Sequence, residues 1–244
     1  MKGVITAGGL GTRLYPMTKV TNKHLLPVYD VPMIYYPIQA LINAGINDIM
    51  IITGGNNAGD FIRLLGNGKE FGLKRLSYVY QEGEGGIAAA VSLTRDFVGN
   101  DRVAIVLGDN IIEKNFTAAV RSFEKQERGA KILLTEVEHP EHYGVATIAG
   151  NRIVKITEKP KQPDTNYAVI GIYLYDNRVF DIIDRLEPSK RGELEITDVN
   201  NAYIQEGTLT YDILDGWWAD CGEERTSLFQ ASCLVAKTGA NKKD

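Results

Sequence analysis

Gly3-Val4-Ile5-Thr6-Ala7-Gly8-Gly9-Leu10-Gly11-Thr12-Arg13-Leu14 opens the chain with an apolar run of strand length that stops at glycines. In an open α/β sheet, ligands bind beyond the carboxyl ends of the strands. Glycines there let backbone N–H groups approach phosphate oxygens. Arg13 adds a permanent charge with a bidentate fork suited to phosphate. The same stretch also reads as a tight turn with a surface arginine. Two common phosphate motifs are excluded. A dinucleotide fingerprint needs G-x-G-x-x-G, but Gly9 and Gly11 are followed by Leu14, and no Gly-Lys-Ser/Thr of a Walker A loop is present.

The strand-then-glycine pattern recurs. Strands are predicted over 48–53, 76–80, 102–107 and 131–137, and helices over 33–43, 58–65, 87–97 and 116–128. This alternation predicts an α/β fold, a mainly parallel sheet flanked by helices on both faces. After Val137 the rhythm changes. Residues 144–148 and 152–157 flank Ala149-Gly150-Asn151 as a hairpin. A strand over 168–175, a helix over 179–186, a helix to Gln205 with Thr197 as N-cap, and a strand over 208–214 follow. The last 20 or so residues start helical and end in a polar tail, Asn241-Lys242-Lys243-Asp244, expected to fray. With no repeat or linker, residues 1–244 read as a single domain with an elaborated second half.

Composition narrows the function. The 244 residues carry a net charge of −4, the wrong sign for a general binder of nucleic acid or anionic membrane. The apolar run Val103-Ala104-Ile105-Val106-Leu107 is far short of the ~20 residues of a membrane helix. No signal peptide is read at the start. The two cysteines, Cys221 and Cys233, read as reduced thiols of a cytoplasmic protein.

Four further places carry candidate chemistry. Lys23, before the Pro-terminated run Leu25-Leu26-Pro27, can be held pointing inward; an isolated lysine is otherwise a solvated one. Gln81 offers a donor and an acceptor to the edge of a base, and Gly86 would admit a flat ring close to the backbone; the bland reading is a polar loop. Asp109, at the tip of a buried strand, is placed to hold Mg²⁺, or to cap a turn. Asp220, after Trp217-Trp218, is a candidate second metal ligand, and Lys159 a candidate phosphate contact. His139 and His142 read as a surface loop, and Cys221 as a neighbour of Asp220 without an activating histidine.

Together, Ala-Gly-Gly-x-Gly-Thr-Arg-Leu, Lys-x-Leu-Leu-Pro, Pro-Met-Ile-Tyr-Tyr-Pro, Leu-Gly-Asp-Asn, Tyr-Gly-Val, Glu-Lys-Pro, Asn-Tyr-Ala-Val and Gly-Glu-Leu-Glu-Ile-Thr-Asp run in that order over nearly the whole chain. In this the sequence resembles the sugar-phosphate nucleotidylyltransferases, and among them most of all the glucose-1-phosphate thymidylyltransferases. The resemblance implies transfer of dTMP from dTTP to α-D-glucose 1-phosphate, giving dTDP-glucose and pyrophosphate with Mg²⁺, for dTDP-rhamnose and surface-polysaccharide synthesis. It implies the nucleotidyltransferase fold, a Rossmann-like mixed, mainly parallel sheet flanked by helices, with a nucleotide-binding part over about 1–137 and a sugar-binding part over about 138–225.

Roles follow by position. Gly8, Gly9, Gly11 and Thr12 wrap the triphosphate, and Arg13 stabilises charge on the α-phosphate and departing pyrophosphate. Lys23 bridges the two phosphates, and Gln81 and Gly86 read thymine. Asp109 and Asp220 hold Mg²⁺. Asn110, Gly144 and Glu158 contact the glucose hydroxyls, Lys159 and Arg191 grip its phosphate, and Val169 and Tyr173 line its pocket. The chain departs from the family pattern at His24, where glutamine is expected, and at Cys221-Gly222-Glu223, where Thr-Gly-Thr is usual.

Two rivals stand beside this reading. One is an enzyme using UTP or another sugar 1-phosphate. The other is a non-catalytic nucleotide-sugar sensor on the same fold, against which Arg13, Lys23, Asp109 and Lys159 are all kept. Longer members carry a further C-terminal helical segment forming a second nucleotide-sugar site. The chain stops at Asp244, so weak inhibition by dTDP-rhamnose, competitive with dTTP, is expected. A homo-oligomer is the default assembly.

Overall fold

The computed structural model describes residues 1–242. In chain order the elements are strand β1 (Lys2–Ala7), β2 (Pro27–Val28), β3 (Val31–Pro32), helix α1 (Tyr35–Asn43), β4 (Asp48–Gly54), α2 (Ala58–Leu65), β5 (Arg75–Gln81), α3 (Ile87–Ser92), α4 (Arg95–Val98), β6 (Val103–Leu107), β7 (Asn110–Ile112), α5 (Thr117–Glu124), β8 (Ala130–Glu136), β9 (Gly144–Ala149), β10 (Arg152–Glu158), β11 (Tyr167–Tyr175), α6 (Val179–Ile183), α7 (Ile196–Gln205), β12 (Leu209–Ile213), β13 (Trp218–Asp220) and α8 (Arg225–Thr238). The fold is the expected α/β class, a mixed sheet in which β1, β4 and β5 pair in parallel, as do β8 and β12. Among the described residues no helix is long and apolar enough to cross a membrane.

The chain forms two compact units. The first takes residues 1–84, 105–117 and those from 215 on. Its strands run in the order β6-β1-β4-β5, with β4 parallel to both β1 and β5. Val4, Ile5, Ile49, Ile51, Ile52 and Ile105 are fully buried, which is why these strands read as continuous apolar runs rather than alternating ones. A second, small sheet pairs β7 with β13 antiparallel and sets Asp220 opposite Asn110. Both strands are three residues long, and neither is predicted from the sequence. The hairpin β2–β3 and helix α8 share one apolar cluster, in which Val28, Met33, Cys221, Leu228 and Ala231 meet.

The tail departs from expectation. Lys243 and Asp244 lie outside the described residues, but Asn241 and Lys242 do not fray. Asn241 is buried and donates from Nδ2 to the Tyr36 carbonyl at 2.9 Å, and its N–H donates to Ile112. Lys242 pairs with Glu113 at 2.9 Å. Asn43 completes the knot by donating to the Asn241 carbonyl.

The second unit takes residues 85–104 and 118–214. Its strands run β10-β9-β11-β8-β12; β12 is parallel to β8 and the other pairs are antiparallel. Gly150 supplies the positive φ of 59° that turns the β9–β10 hairpin where the sequence places it. The chain changes unit after residues 84, 104, 117 and 214.

Three helices are shorter than predicted. The 87–97 helix breaks into α3 and α4 because the Thr94 hydroxyl donates back to the Val91 carbonyl at 2.7 Å, and Thr94 leaves helical geometry. The 116–128 helix ends at Glu124, where the Arg102 guanidinium takes the carbonyls of Phe123 and Gln126. The 179–186 helix ends at Ile183. Thr197 is not the N-cap of α7; Glu195 occupies that position and Thr197 lies inside the first turn.

Candidate active site

The glycine loop leaves β1 in the first unit. Gly11 adopts φ 66°, and a 3-10 turn over Thr12–Leu14 follows, pinned by buried Leu14 and by the Thr18 hydroxyl on the Gly11 carbonyl at 2.8 Å. Thr12 and Arg13 are exposed on this turn, and Arg13 has no ion pair among the described residues. Two side chains converge on the loop. A Cβ added at Gly8 would sit 3.0 Å from Gln81 Oε1, and one at Gly11 would sit 3.0 Å from Lys23 Cβ. The loop therefore leaves room for Gln81 over Gly8 and for the Lys23 stem along Gly9 and Gly11.

Lys23 ends on Asp109. Its ammonium and the Asp109 carboxylate form a half-buried ion pair. The other Asp109 oxygen accepts from Asn110 Nδ2 at 3.1 Å, and Asn110 Oδ1 in turn accepts from Trp218 Nε1 at 2.7 Å. On the facing strand, Cys221 N–H donates to the Asp109 carbonyl and Gly222 N–H to Asp220 Oδ1, each at 2.9 Å. The β7–β13 pairing is what brings Asp109 and Asp220 together.

Electrostatics differ sharply between the two acids. Burial disfavours the charged form of both. The adjacent Lys23 more than offsets this for Asp109, which is held well below the usual carboxylate range. Asp220 is pushed up to about 7, by burial first and the Asp109 charge second. Burial works against Lys23 too, but Asp109 outweighs it and raises its pKa. His24, fully buried, is pushed down to about 3 by burial and by neighbouring Lys23, so it is neutral. Cys221 is buried and its thiol pushed far up by burial, consistent with a packing rather than a nucleophilic role.

In the second unit, Glu158 at the end of β10 accepts from the Thr197 hydroxyl at 2.6 Å. A Cβ at Gly144 would stand 3.3 Å from Thr197 Oγ1 and 3.4 Å from Glu158 Oε2, so this glycine keeps the carboxylate accessible. Lys159 is exposed and held at φ 42°, with its N–H on the Tyr143 carbonyl at 3.0 Å. A left-handed lysine costs of order 1–3 kcal/mol and is held there by its surroundings. Arg191 is more engaged than its sequence suggests: its NH2 group lies 2.8 Å from Glu195, 3.1 Å from Glu193 and 3.9 Å from Glu158. Val169 and Tyr173 lie on β11, with Tyr173 buried and stacked on Tyr175 at 6.0 Å. Gly86 has φ 91°, and a Cβ there would stand 2.5 Å from the Leu194 carbonyl, so the glycine serves a close backbone approach.

Sequence reasoning missed three contributors. Thr197 was read as a cap, Trp218 only as an aromatic neighbour, and Gly222 only as part of a departure. A Cβ at Gly222 would fall 2.1 Å from Asp109 Oδ2 and 2.5 Å from Lys23 Nζ. A glycine between two acidic positions was the one available signal.

Comparison with known proteins shows the family to which this fold belongs. Residues 2–238 match the Nucleotidyl transferase family. A glucose-1-phosphate thymidylyltransferase from Neisseria meningitidis is 46% identical over 96% of the chain and 82% of that relative. One from Mycolicibacterium smegmatis is also 46% identical over the same shares. A crystal structure from Bacillus anthracis assigned as glucose-1-phosphate thymidylyltransferase, in complex with sucrose, superposes with TM-score 0.94 at 51% identity over 100% of both chains. A UDP-glucose pyrophosphorylase complexed with UDP-glucose superposes with TM-score 0.85 at 26% identity, over 97% of this chain and 98% of that one.

Proposed function

The chain belongs to the nucleotidyl transferase family, and from that premise we propose that it transfers a thymidylyl group from dTTP to α-D-glucose 1-phosphate, releasing pyrophosphate and dTDP-glucose for dTDP-rhamnose synthesis. The observation that carries the proposal is the half-buried Lys23–Asp109 pair, set beside the glycine loop with Asp220 across the β7–β13 ladder. Two carboxylates against one ammonium suit a divalent cation, which phosphate oxygens complete.

The reaction asks little covalent chemistry of the protein. A phosphate oxygen of glucose 1-phosphate, already ionised, attacks the α-phosphorus in line, and pyrophosphate leaves. No side-chain nucleophile or base is needed, which suits a site whose histidine is neutral and whose cysteine is buried. Positioning and electrostatics carry the rate. Gly8, Gly9, Gly11 and Thr12 present the triphosphate loop. Arg13, exposed and without an ion pair among the described residues, meets the charge growing on the α-phosphate and pyrophosphate. Lys23 lies over the two reacting phosphates. Gln81 and the Gly86 backbone read thymine.

The residues fit a divalent cation. Two half-buried carboxylates stand near one ammonium, and burial with the Asp109 charge pushes the Asp220 carboxyl up. Among the described residues no third metal-ligating side chain joins them. A pair of carboxylates completed by phosphate oxygens and water is what Mg²⁺ prefers. Asp109 and Asp220 would hold it. When bound, it offsets the mutual repulsion of two polyanions.

For the sugar, Glu158 accepts from hydroxyls, Gly144 leaves the space, and Val169 and Tyr173 line the pocket; Asn110, expected to join them, is buried with its amide committed to Asp109 and Trp218. Lys159 and Arg191 take the sugar phosphate. The two units are read as one nucleotidyltransferase domain of a cytoplasmic homo-oligomer. The test is pyrophosphate release over a panel of nucleotides and sugar 1-phosphates. dTTP with glucose 1-phosphate should give the highest kcat/KM; a clear win for UTP or ATP would overturn the thymidylyl assignment.

A further inference from the structure

Lys23 sits between two buried polar residues that the reaction itself does not use. Asn22 is 5% exposed and His24 2%. Asn22 Nδ2 donates to the carbonyl of Ala7, the last residue of β1 before the glycine loop, at 3.3 Å. That contact fixes the amide orientation, so Asn22 Oδ1 is the acceptor. It takes the His24 backbone N–H at 3.0 Å and lies 2.7 Å from His24 Nδ1. Nδ1 therefore carries the proton. The His24 carbonyl accepts from Ile34 at 2.9 Å, anchoring the far side of the turn.

The His24 ring also supports the acid. A Cβ added at Gly108 would stand 2.7 Å from His24 Cδ2 and 3.1 Å from Nε2, so the ring lies directly against the residue before Asp109. Gly108 is held from its other side by its N–H on the Thr6 carbonyl at 2.9 Å. Asn22 thus touches the peptide that leads into the glycine loop, Lys23 touches Asp109, and His24 touches the peptide that leads into Asp109.

We propose that Asn22 and His24 are positioning residues that brace Lys23, setting its ammonium against Asp109 and holding the glycine loop and the Asp109 turn in one register. The inference rests on the functional reading above, in which Lys23 acts on the reacting phosphates. A brace of this kind acts only through what it holds. Its loss lowers kcat more than it raises KM, and it loses its effect once the lysine is gone.

The experiment uses the full-length protein, with dTTP and glucose 1-phosphate as substrates. His24→Leu fills the ring's volume but leaves Asn22 Oδ1 without its side-chain donor. Its kcat should fall about 10- to 100-fold, with KM for both substrates within about threefold, on the scale of an ångström-level misplacement. His24→Asn restores a donor near the Nδ1 position and should recover most of the loss. In a Lys23→Gln background, His24→Leu should cost little further. Unchanged kcat in His24→Leu overturns the brace. So does an equal loss in His24→Asn, or the same fold-loss with and without Lys23. If His24→Leu does not fold, His24→Asn and Asn22→Leu carry the same comparison. Absence of wild-type turnover would instead refute the functional reading.

Discussion

Gly222→Ala adds one methyl group where the structure has no room for it. The new Cβ would lie 2.1 Å from Asp109 Oδ2 and 2.5 Å from Lys23 Nζ, against about 3.4 Å for ordinary contact. Asp109 or the strand must yield by about 1.3 Å. Neither partner can move freely. The second Asp109 oxygen is held by Asn110 and its carbonyl by Cys221, while the Lys23 stem runs against the glycine loop. Gly222 has no positive φ, so alanine is not strained by its backbone; the effect is steric. An ångström-scale shift of such a group costs about 100-fold in rate. Overpacking costs about 1–3 kcal/mol, or roughly 2–12 °C in Tm for a chain of this size. The assay is pyrophosphate release at saturating dTTP and glucose 1-phosphate, with a thermal melt in parallel. Gly59→Ala, where a Cβ meets nothing within 4 Å, is the control. A Gly222→Ala enzyme with kcat within about threefold of wild type would refute the packing argument.

Asp109→Asn keeps the shape of the side chain and removes its charge; turnover in excess Mg²⁺ should fall at least about 100-fold for the folded fraction, and near-normal turnover would show that Asp109 is no ligand. Arg13→Ala should lower kcat with little change in KM, because its partner charge grows toward the transition state; a change confined to KM contradicts that role. The third concerns acid stability. Burial raises the Asp48 carboxyl, but hydrogen bonds from Arg75 and Lys2 outweigh it and hold it below the usual range. A depressed carboxyl contributes stability above its unfolded pKa of about 4 and loses it as pH falls through the folded value. Asp48→Asn should therefore melt lower than wild type at neutral pH, with the gap closing below about pH 4; a gap unchanged by acidification would show that the pair is not its source.

Much of the first unit was legible because β1, β4 and β6 are buried on both faces. The run Val103-Ala104-Ile105-Val106-Leu107 shows β6 directly, and α2 occupies the expected 58–65. The glycine loop, Lys23 and Asp109 were legible as motifs. What joins them was not. Strands β7 and β13 have three residues each, too few for any periodicity, and their pairing links positions 110 apart in sequence. The acids around Arg191 are near in sequence, at 193 and 195, yet the count of charges says nothing about which of them its guanidinium takes. Thr197 illustrates the same limit: a threonine near a helix start reads as a cap, but its hydroxyl is committed to Glu158. Local signals name residues; long-range pairing decides what they touch.

The β7–β13 ladder also sets when the protein becomes competent during its own synthesis. Asn110 and Asp220 are partners, so a nascent chain that has already emerged past Asp109 still lacks the second carboxylate. At about 5–20 residues per second, some 5–20 s of elongation separate the two acids. Through that interval the glycine loop, Lys23 and Asp109 can be present without the strand that completes them. The β7–β13 pairing therefore closes only after β13 has emerged. On the proposed reading, a chain truncated before Asp220 lacks the strand that faces Asn110 and the second carboxylate, however well its parallel strands form.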